Sequence, residues 1–401
     1  MDVAGVQHRL NSLAACLPSV TPTFDVACNA DPVLARVVAN SDRDVVFEVT
    51  NNDEIEAALK HVEATRILVR SNVLTRKTIK AVGETMCGAM VIESMKHLDD
   101  VSRFAAHTDL LLAIALTYST CEVQMGCLLE EAEEIIVMAH CLGVPLVGIA
   151  FDLGPSAQPH MYLQAMRETR KLVEFGAKRG LDMTKVHMGS IHMSNDYEKT
   201  LSTIERIVET SMPAFVTVHA NLGTFIANDA FTLCTSITAK QQLAAKDITN
   251  DEFDDGVGFV YQTDEGFYGA FGLRQMDNSP LCQPLHTMDD EPEHLGTVIG
   301  PTLDQFDVAQ TLVKCRQLQV GEWLVWQQMG AFTIPLVDDE LDQKTPVYYY
   351  SRRESWDQLM SREEQRRSPS PTAETDSVTG DVLSDSETSD VDVYDVVLDL
   401  F

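Results

Sequence analysis

The chain has 401 residues, 45% hydrophobic and 23% charged, which supplies a large core and excludes collagen-like, wholly disordered and disulfide-scaffold classes. Thirty Lys and Arg against 61 Asp and Glu leave a formal charge of −31, a field that repels nucleic acid and anionic lipid and calls for a basic partner or a local basic patch. No apolar run nears the roughly 20 residues that cross a bilayer, and nine scattered cysteines without a CxxC pair fit reduced thiols in the cytosol or nucleus.

The N-terminus has neither a basic n-region nor an apolar h-region, so no secretory leader is expected. Short apolar runs then alternate with helical spacing. Strands are expected at Thr23–Cys28, Val45–Val49, Ile67–Arg70, Ala89–Glu93, Leu110–Leu116, Leu146–Phe151, Lys185–Gly189 and Phe215–His219. Helices are expected between most of them: Asp53–His61, Leu74–Thr85, Lys96–Ala106, Leu128–Leu142, Met161–Ala177 and Tyr197–Glu209. Eight strands alternating with helices is the count of a (β/α)8 barrel. A doubly wound open sheet is the alternative, weakened because no GxGxxG follows the first strand.

From about Ala230 helical periodicity fades. Short β-rich runs at Phe231–Thr238, Gly258–Gln262, Gly266–Phe271, Leu324–Trp326 and Val347–Tyr350 predict a second, mainly antiparallel domain. An acidic loop at Asp247–Asp255 is expected to stay solvated. After Arg367 there are nine acids and no Lys or Arg, and residues 361–401 read as a disordered acidic tail. Ser368, Ser370, Ser384 and Ser389 in it match short kinase patterns.

The ordered segments Pro22–Asn29, Gly148–Gly154, Ala230–Leu233, Gly266–Phe271, Gly300–Asp304 and Met329–Thr333 carry a family likeness. Over Pro22–Met360 the chain resembles the ornithine decarboxylase family (group IV, fold type III) and within it the catalytically dead antizyme inhibitors. The resemblance implies a pyridoxal-phosphate-type barrel over 22–229, a β domain over 230–360, and an N-terminal stretch, 1–21, packing with the β domain.

It also implies which chemistry is missing. The cofactor lysine falls at Ala27, and a methyl group cannot form an imine. The ring-stacking histidine falls at Asp152. The phosphate turn reads Gly189-Ser190-Ile191, where Ile191 would strain a turn that needs positive φ. The pyridinium and phosphate partners fall at Asn221 and Thr224, and a tyrosine falls at Phe332. An arginine of the fifth strand falls at Ala113, the catalytic cysteine at Leu303 beside a retained Asp304, and the substrate aspartate at Glu265. Glu48 and Glu54 keep acidic positions. No cofactor is therefore expected, and the scattered histidines, His187 and His219 among them, read as packed or exposed side chains, not as metal ligands.

The implied partner is antizyme, with ornithine decarboxylase itself as a second candidate and neither nucleic acid nor membrane. The family's antizyme-binding segment aligns with Arg76–Asp99, and Arg76, Lys77, Lys80, Lys96 and Arg103 form the expected contact patch. A further family lysine falls at Asp100, so Asp100→Lys is expected to strengthen that contact.

Overall fold

The computed structural model describes residues 1–121, 125–191, 196–253, 255–272, 282–286, 291–302, 304–334, 346–351 and 356. The acidic tail and its serine sites lie outside them, as does Leu303.

Eight parallel strands close on themselves: β1 (Val20–Asp25), β2 (Val46–Val49), β3 (Ile67–Val69), β4 (Ala89–Ile92), β5 (Asp109–Ala113), β6 (Leu146–Ala150), β7 (Lys185–Ser190) and β8 (Thr217–Asn221), with β8 pairing back to β1. The barrel is therefore the architecture that the alternating pattern implied. Its outer layer is α1 (Val3–Cys16), α2 (Pro32–Ala39), α3 (Asn52–Leu59), α4 (Arg76–Thr85), α5 (Met95–Phe104), α6 (Leu129–Leu142), α7 (Pro159–Ala177), α8 (Tyr197–Ser211) and the short α9 (Gly223–Ala227).

Strand alternation divides the side chains into two sets. One set, including Phe24, Phe47, Val69, Met90, Leu112 and Ile149, packs against the helices in the main core. The other faces the barrel axis and is itself divided. Leu68, Ala89, Val91, Leu111, Ala113 and Ala150 make an apolar cluster on β3–β6. Thr23, Glu48, His187 and Asn221 make a polar half on β1, β2, β7 and β8.

Helices α1, α2 and the short α9 escaped the sequence reading. Helix α1 buries Val3, Val6, Leu10 and Leu13 at helical spacing, and α2 starts with Asp31 accepting from the Val33 and Leu34 N–H groups and with Pro32 in its first turn. Residues 1–3 bond the backbone of Ala230, Tyr348 and Tyr350, within the range expected for the β domain, while the rest of α1 turns to the barrel. The apolar face of α1 joins the barrel core beside α2, α8 and α9, because an amphipathic helix buries its stripe against other helices.

The second domain is a six-stranded sheet of β9 (Leu233–Ala244), β10 (Val257–Thr263), β11 (Cys282–Pro284), β12 (Glu293–Ile299), β13 (Val308–Arg316) and β14 (Trp323–Trp326), in the order β11-β14-β9-β10-β12-β13. Only β10 with β12 is parallel. Its core is built around Trp326, whose Nε1–H donates to Thr235 Oγ1 at 2.9 Å and whose ring meets Phe271 at 4.7 Å. Two expected strands are corrected. Gly266–Phe271 is a wide π-type turn over Phe267–Phe271, interrupted at Gly269 and held by Glu265 accepting from the Gly266 and Ala270 N–H groups. Val347–Tyr350 makes only an isolated bridge from Tyr350 to Asp2.

The chain then returns to the barrel. Phe332 N–H donates to Cys28 O at 2.7 Å, Asn29 Nδ2 to Gly330 O at 2.8 Å, and Tyr349 OH to Asp31 Oδ2 at 2.7 Å. Ala331, Ile334, Val347, Tyr349 and Trp356 pack against the barrel core.

Candidate functional site

The carboxyl ends of the strands surround a cavity of about 240 Å3, the end at which barrels of this kind carry their chemistry. Asp25 ends β1, Ser190 ends β7, Asn221 ends β8, Arg70 follows β3 and Asp152 follows β6. All five line the cavity with Glu48.

The charges form a connected set. Arg70 reaches Asp152 Oδ2 at 3.0 Å and Glu48 Oε1 at 3.4 Å. Glu48 also accepts from Thr23 Oγ1 at 3.0 Å and lies 3.2 Å from His187 Nε2. The Gly189 N–H donates to His187 Nδ1 at 3.1 Å, which leaves Nε2 to carry a proton toward Glu48. Burial opposes ionisation of Glu48, yet His187, Arg70 and Thr23 outweigh it and hold the carboxyl well below the usual carboxylate range. Asp25 goes the other way. Burial and then the charge of Glu48 push its carboxyl up to about 7.

Asp152 sits as a resident anion in this set. Its Oδ1 accepts from the Gly154 N–H at 2.9 Å, and its Oδ2 accepts from the Ser190 N–H at 3.4 Å as well as from Arg70. A Cβ on residue 189 would lie 2.4 Å from Asp152 Oδ2, and Gly189 has φ +68°, so only glycine admits the carboxylate there. The expected strain at Ile191 is corrected. Positive φ falls on Gly189, while Ile191 is buried and donates its N–H to Asn221 O at 3.1 Å. All three N–H groups of Gly189, Ser190 and Ile191 are thus taken by protein acceptors.

The sequence-predicted positions divide by place. Asp152, Ser190 and Asn221 meet at the cavity. Asn221 Oδ1 also accepts from the Gly223 N–H at 3.0 Å. Ala27 is exposed in the turn after β1, its N–H bonded to Asp25 Oδ1 at 2.9 Å. Thr224 bonds the buried Cys28 thiol, and Phe332, at φ +59°, reaches Cys28 through its backbone. Glu265 and Asp304 do not line the cavity. Glu265 caps its own turn, and Asp304 accepts from Tyr268 OH, both residues exposed. Glu54 is a helix-start carboxylate that takes Thr50 N–H, Thr50 Oγ1–H and Asn51 Nδ2–H. Sequence reasoning passed over Asp25 and Arg70. Their signal was polarity in phase with Thr23 and Glu48 on strands whose other face is apolar. Among the described residues no group of three His, Cys, Asp or Glu side chains is placed to hold a metal.

The expected contact patch lies on α4 and α5. Arg76, Lys77, Lys80, Lys96 and Arg103 are all exposed. Arg76 pairs with the buried Asp100 at 2.8 Å and Arg103 with Asp99 at 2.9 Å, while the Lys80 ammonium lies 5.0 Å from the Phe104 ring centre. This corrects the expectation for Asp100. It is an internal anchor between the two helices, not an open position for a lysine.

Residues 3–226 match the family described as pyridoxal-dependent decarboxylase, pyridoxal binding domain. The ornithine decarboxylase of Caenorhabditis elegans is 27% identical over 376 residues, covering 90% of this chain and 88% of that one. Human antizyme inhibitor 2 is 25% identical over 388 residues, covering 91% and 84%. The crystal structure of the Paramecium bursaria Chlorella virus arginine decarboxylase superposes with a TM-score of 0.78 at 21% identity, over 87% of this chain and 94% of that one.

Proposed function

The chain belongs to the family of pyridoxal-dependent decarboxylases, and from that membership we propose that it is a non-catalytic member acting as a regulator. In such barrels pyridoxal phosphate supplies the electron sink, held through a lysine imine and a backbone phosphate cradle. The residues present here do not fit that group. Ala27 offers no amine, and Asp152 brings a carboxylate where the resemblance expects a ring-stacking histidine. The observation that carries the reading is the turn Gly189–Ile191, whose three N–H groups are already engaged by His187, Asp152 and Asn221.

The regulation proposed is capture of antizyme, in the cytosol or nucleus, which releases active ornithine decarboxylase and raises polyamine synthesis. Relatives named antizyme inhibitor 2, from human and Xenopus laevis, support it, as do the exposed cations of α4 and α5 on an otherwise acidic chain. The test titrates the purified chain into an antizyme–decarboxylase complex and follows CO2 release from labelled ornithine. Activity should return with added chain, and the chain alone should release none. Release by the chain alone, or a borohydride-trapped pyridoxyl-lysine in it, defeats the non-catalytic part. Failure to bind antizyme defeats the partner part.

A second reading is favoured by the exposed pair Tyr268–Asp304 with Phe306 exposed beside it. It makes the chain a partner subunit that lays this edge against an active decarboxylase. Such a chain brings Asp304 but Leu303 in place of cysteine, so it would inhibit. Co-purification with decarboxylase in the absence of antizyme separates the two readings.

A further inference from the structure

We propose that the segment Asp392–Phe401 of this chain docks on the outer face of α4, α5 and α6 and covers the cations that lie there. The docking is argued from the face and the segment themselves. Its consequence, competition with antizyme for that face, rests on the reading that the face takes antizyme.

The face is cationic and apolar at once. Lys77, Lys80 and Lys96 are exposed and have no carboxylate partner among the described residues. On the same three helices and at the end of α4, Met86, Met95, Phe104, Met138 and Leu142 are 38% to 63% exposed. The Lys80 ammonium lies 5.0 Å from the Phe104 ring centre, so charge and apolar surface meet directly. Met86 closes α4 at φ 57°, a position where glycine is the usual residue, so neither burial nor backbone calls for its side chain. Exposed apolar surface gathered in one region marks a place that something covers. Three of the five side chains are methionines, whose unbranched thioethers adapt to a partner of irregular shape. Helix α7 and its end also expose cations, Arg170, Lys171 and Lys178 among them, but its large apolar side chains are buried or half-buried.

The segment has the complementary pattern. Tyr394, Val397, Leu398 and Phe401 fall at i, i+3, i+4 and i+7, which makes one stripe in a helix, and Asp392, Asp395 and Asp399 fall together on another side. Lysine stems are long enough to pass an apolar contact and reach those carboxylates. After Arg367 the sequence has nine acids and no Lys or Arg, so a cationic face attracts this stretch while the rest of a −31 chain repels it. Reach is sufficient. A coil of the roughly 40 residues from Trp356, which packs on the barrel core, to Tyr394 would span about 35 Å, beyond the radius of gyration of about 21 Å expected for a folded chain of this size. Such a tether sets an effective concentration on the order of 1 mM, so a contact with an affinity of only about 100 μM would leave the face covered about ten times as often as open.

The experiment treats the full chain, without antizyme, with a carbodiimide that joins amines to carboxylates in contact, and maps the new bonds by mass spectrometry. Links are expected from Lys77, Lys80 or Lys96 to Asp392, Asp395 or Asp399. They should fall at least fivefold in high salt and in Leu398→Ser with Phe401→Ser, a variant that keeps every carboxylate. Met86→Gly, which the positive φ accommodates, should weaken them from the other side of the contact. A mixture of 14N and 15N chain should show the links within single copies. Absence of these links, equal linking to Lys171 and Lys178, links only between copies, or links undiminished in both variants each overturns the proposal. Antizyme titrations decide the consequence separately. The Leu398→Ser, Phe401→Ser chain should bind antizyme about tenfold tighter than wild type, and equal affinity overturns the competition. Links that meet every condition above, with no antizyme bound by either chain, uphold the docking and defeat the reading of the face.

Discussion

Asp25 and Arg70 are the two side chains whose replacement most directly probes the barrel mouth. Asp25 has a folded-state carboxyl pushed from 3.8 to about 7. The folded chain therefore holds this proton where the unfolded chain has lost it, and the contribution to stability falls as pH rises from about 4 to 7. Asn carries no such proton, so Asp25→Asn should be more stable than wild type at pH 8. The gain should be about 1–2 kcal/mol, below the full conversion of 1.36 kcal/mol per pKa unit because the side chain is partly open to water. It should shrink toward pH 4, as read by urea denaturation at several pH values. A gain that does not vary with pH counts against the assignment. Arg70 is the opposite case. Arg70→Met leaves Glu48 and Asp152 without their shared cation and should cost about 3–5 kcal/mol by the same measurement. Adding Asp152→Asn should restore part of it, since one stranded charge goes with it.

Helices α4 and α5 show how an element sets what a patch can do. Gly83 lies against the α5 end so closely that a Cβ would sit 2.3 Å from Phe104 O, and Asp100 ties α5 to Arg76 of α4. The pair is thus a fixed platform with Lys77, Lys80, Lys96 and Arg103 on its open side. Lys80→Glu with Arg103→Glu should weaken antizyme binding at least tenfold while leaving the thermal midpoint near wild type, with the difference growing at low salt. Asp100→Lys should instead lower the midpoint by several degrees, because it buries a second cation beside Arg76. Calorimetric binding and melting of both variants would check this, and a well-folded Asp100→Lys that binds more tightly would overturn it.

At this scale the sequence was legible where one periodicity ruled. Each barrel strand is a short apolar run between helical stretches, and all eight emerge within a few residues of the expected ends. Helix α1 precedes the first strand and shows itself only in the spacing of Val3, Val6, Leu10 and Leu13, and the eight-residue α2 shows itself mainly in its Asp31–Pro32 start. Strands β12 and β13 alternate too weakly to declare themselves, since they lie toward one edge of the second sheet and keep several exposed positions. The degenerate cofactor positions could be found by likeness. The Asp25–Glu48–Arg70–Asp152 set could not, because its members come from four strand ends that only closure of the barrel brings together.

The whole molecule is a barrel and a sheet, but the connection between them is not a simple series. The segment that returns through Gly330, Phe332 and Tyr349 hydrogen-bonds Asn29, Cys28 and Asp31, and its apolar side chains finish the barrel core. A chain cut after Met329 should therefore yield a barrel that is aggregation-prone or melts well below the intact protein, although every barrel strand is present. Recovery of a fragment with the parent's midpoint would refute that. During synthesis on the ribosome, the same arrangement imposes an order of completion. The barrel's strands emerge more than a hundred residues ahead of Ala331 and Tyr349, and the whole second sheet is made in between. The nascent barrel must wait with the flank around Cys28 and Asp31 uncovered until the last pieces arrive. That interval is the stage at which a chaperone, or the sheet's own folding, decides the yield of native protein.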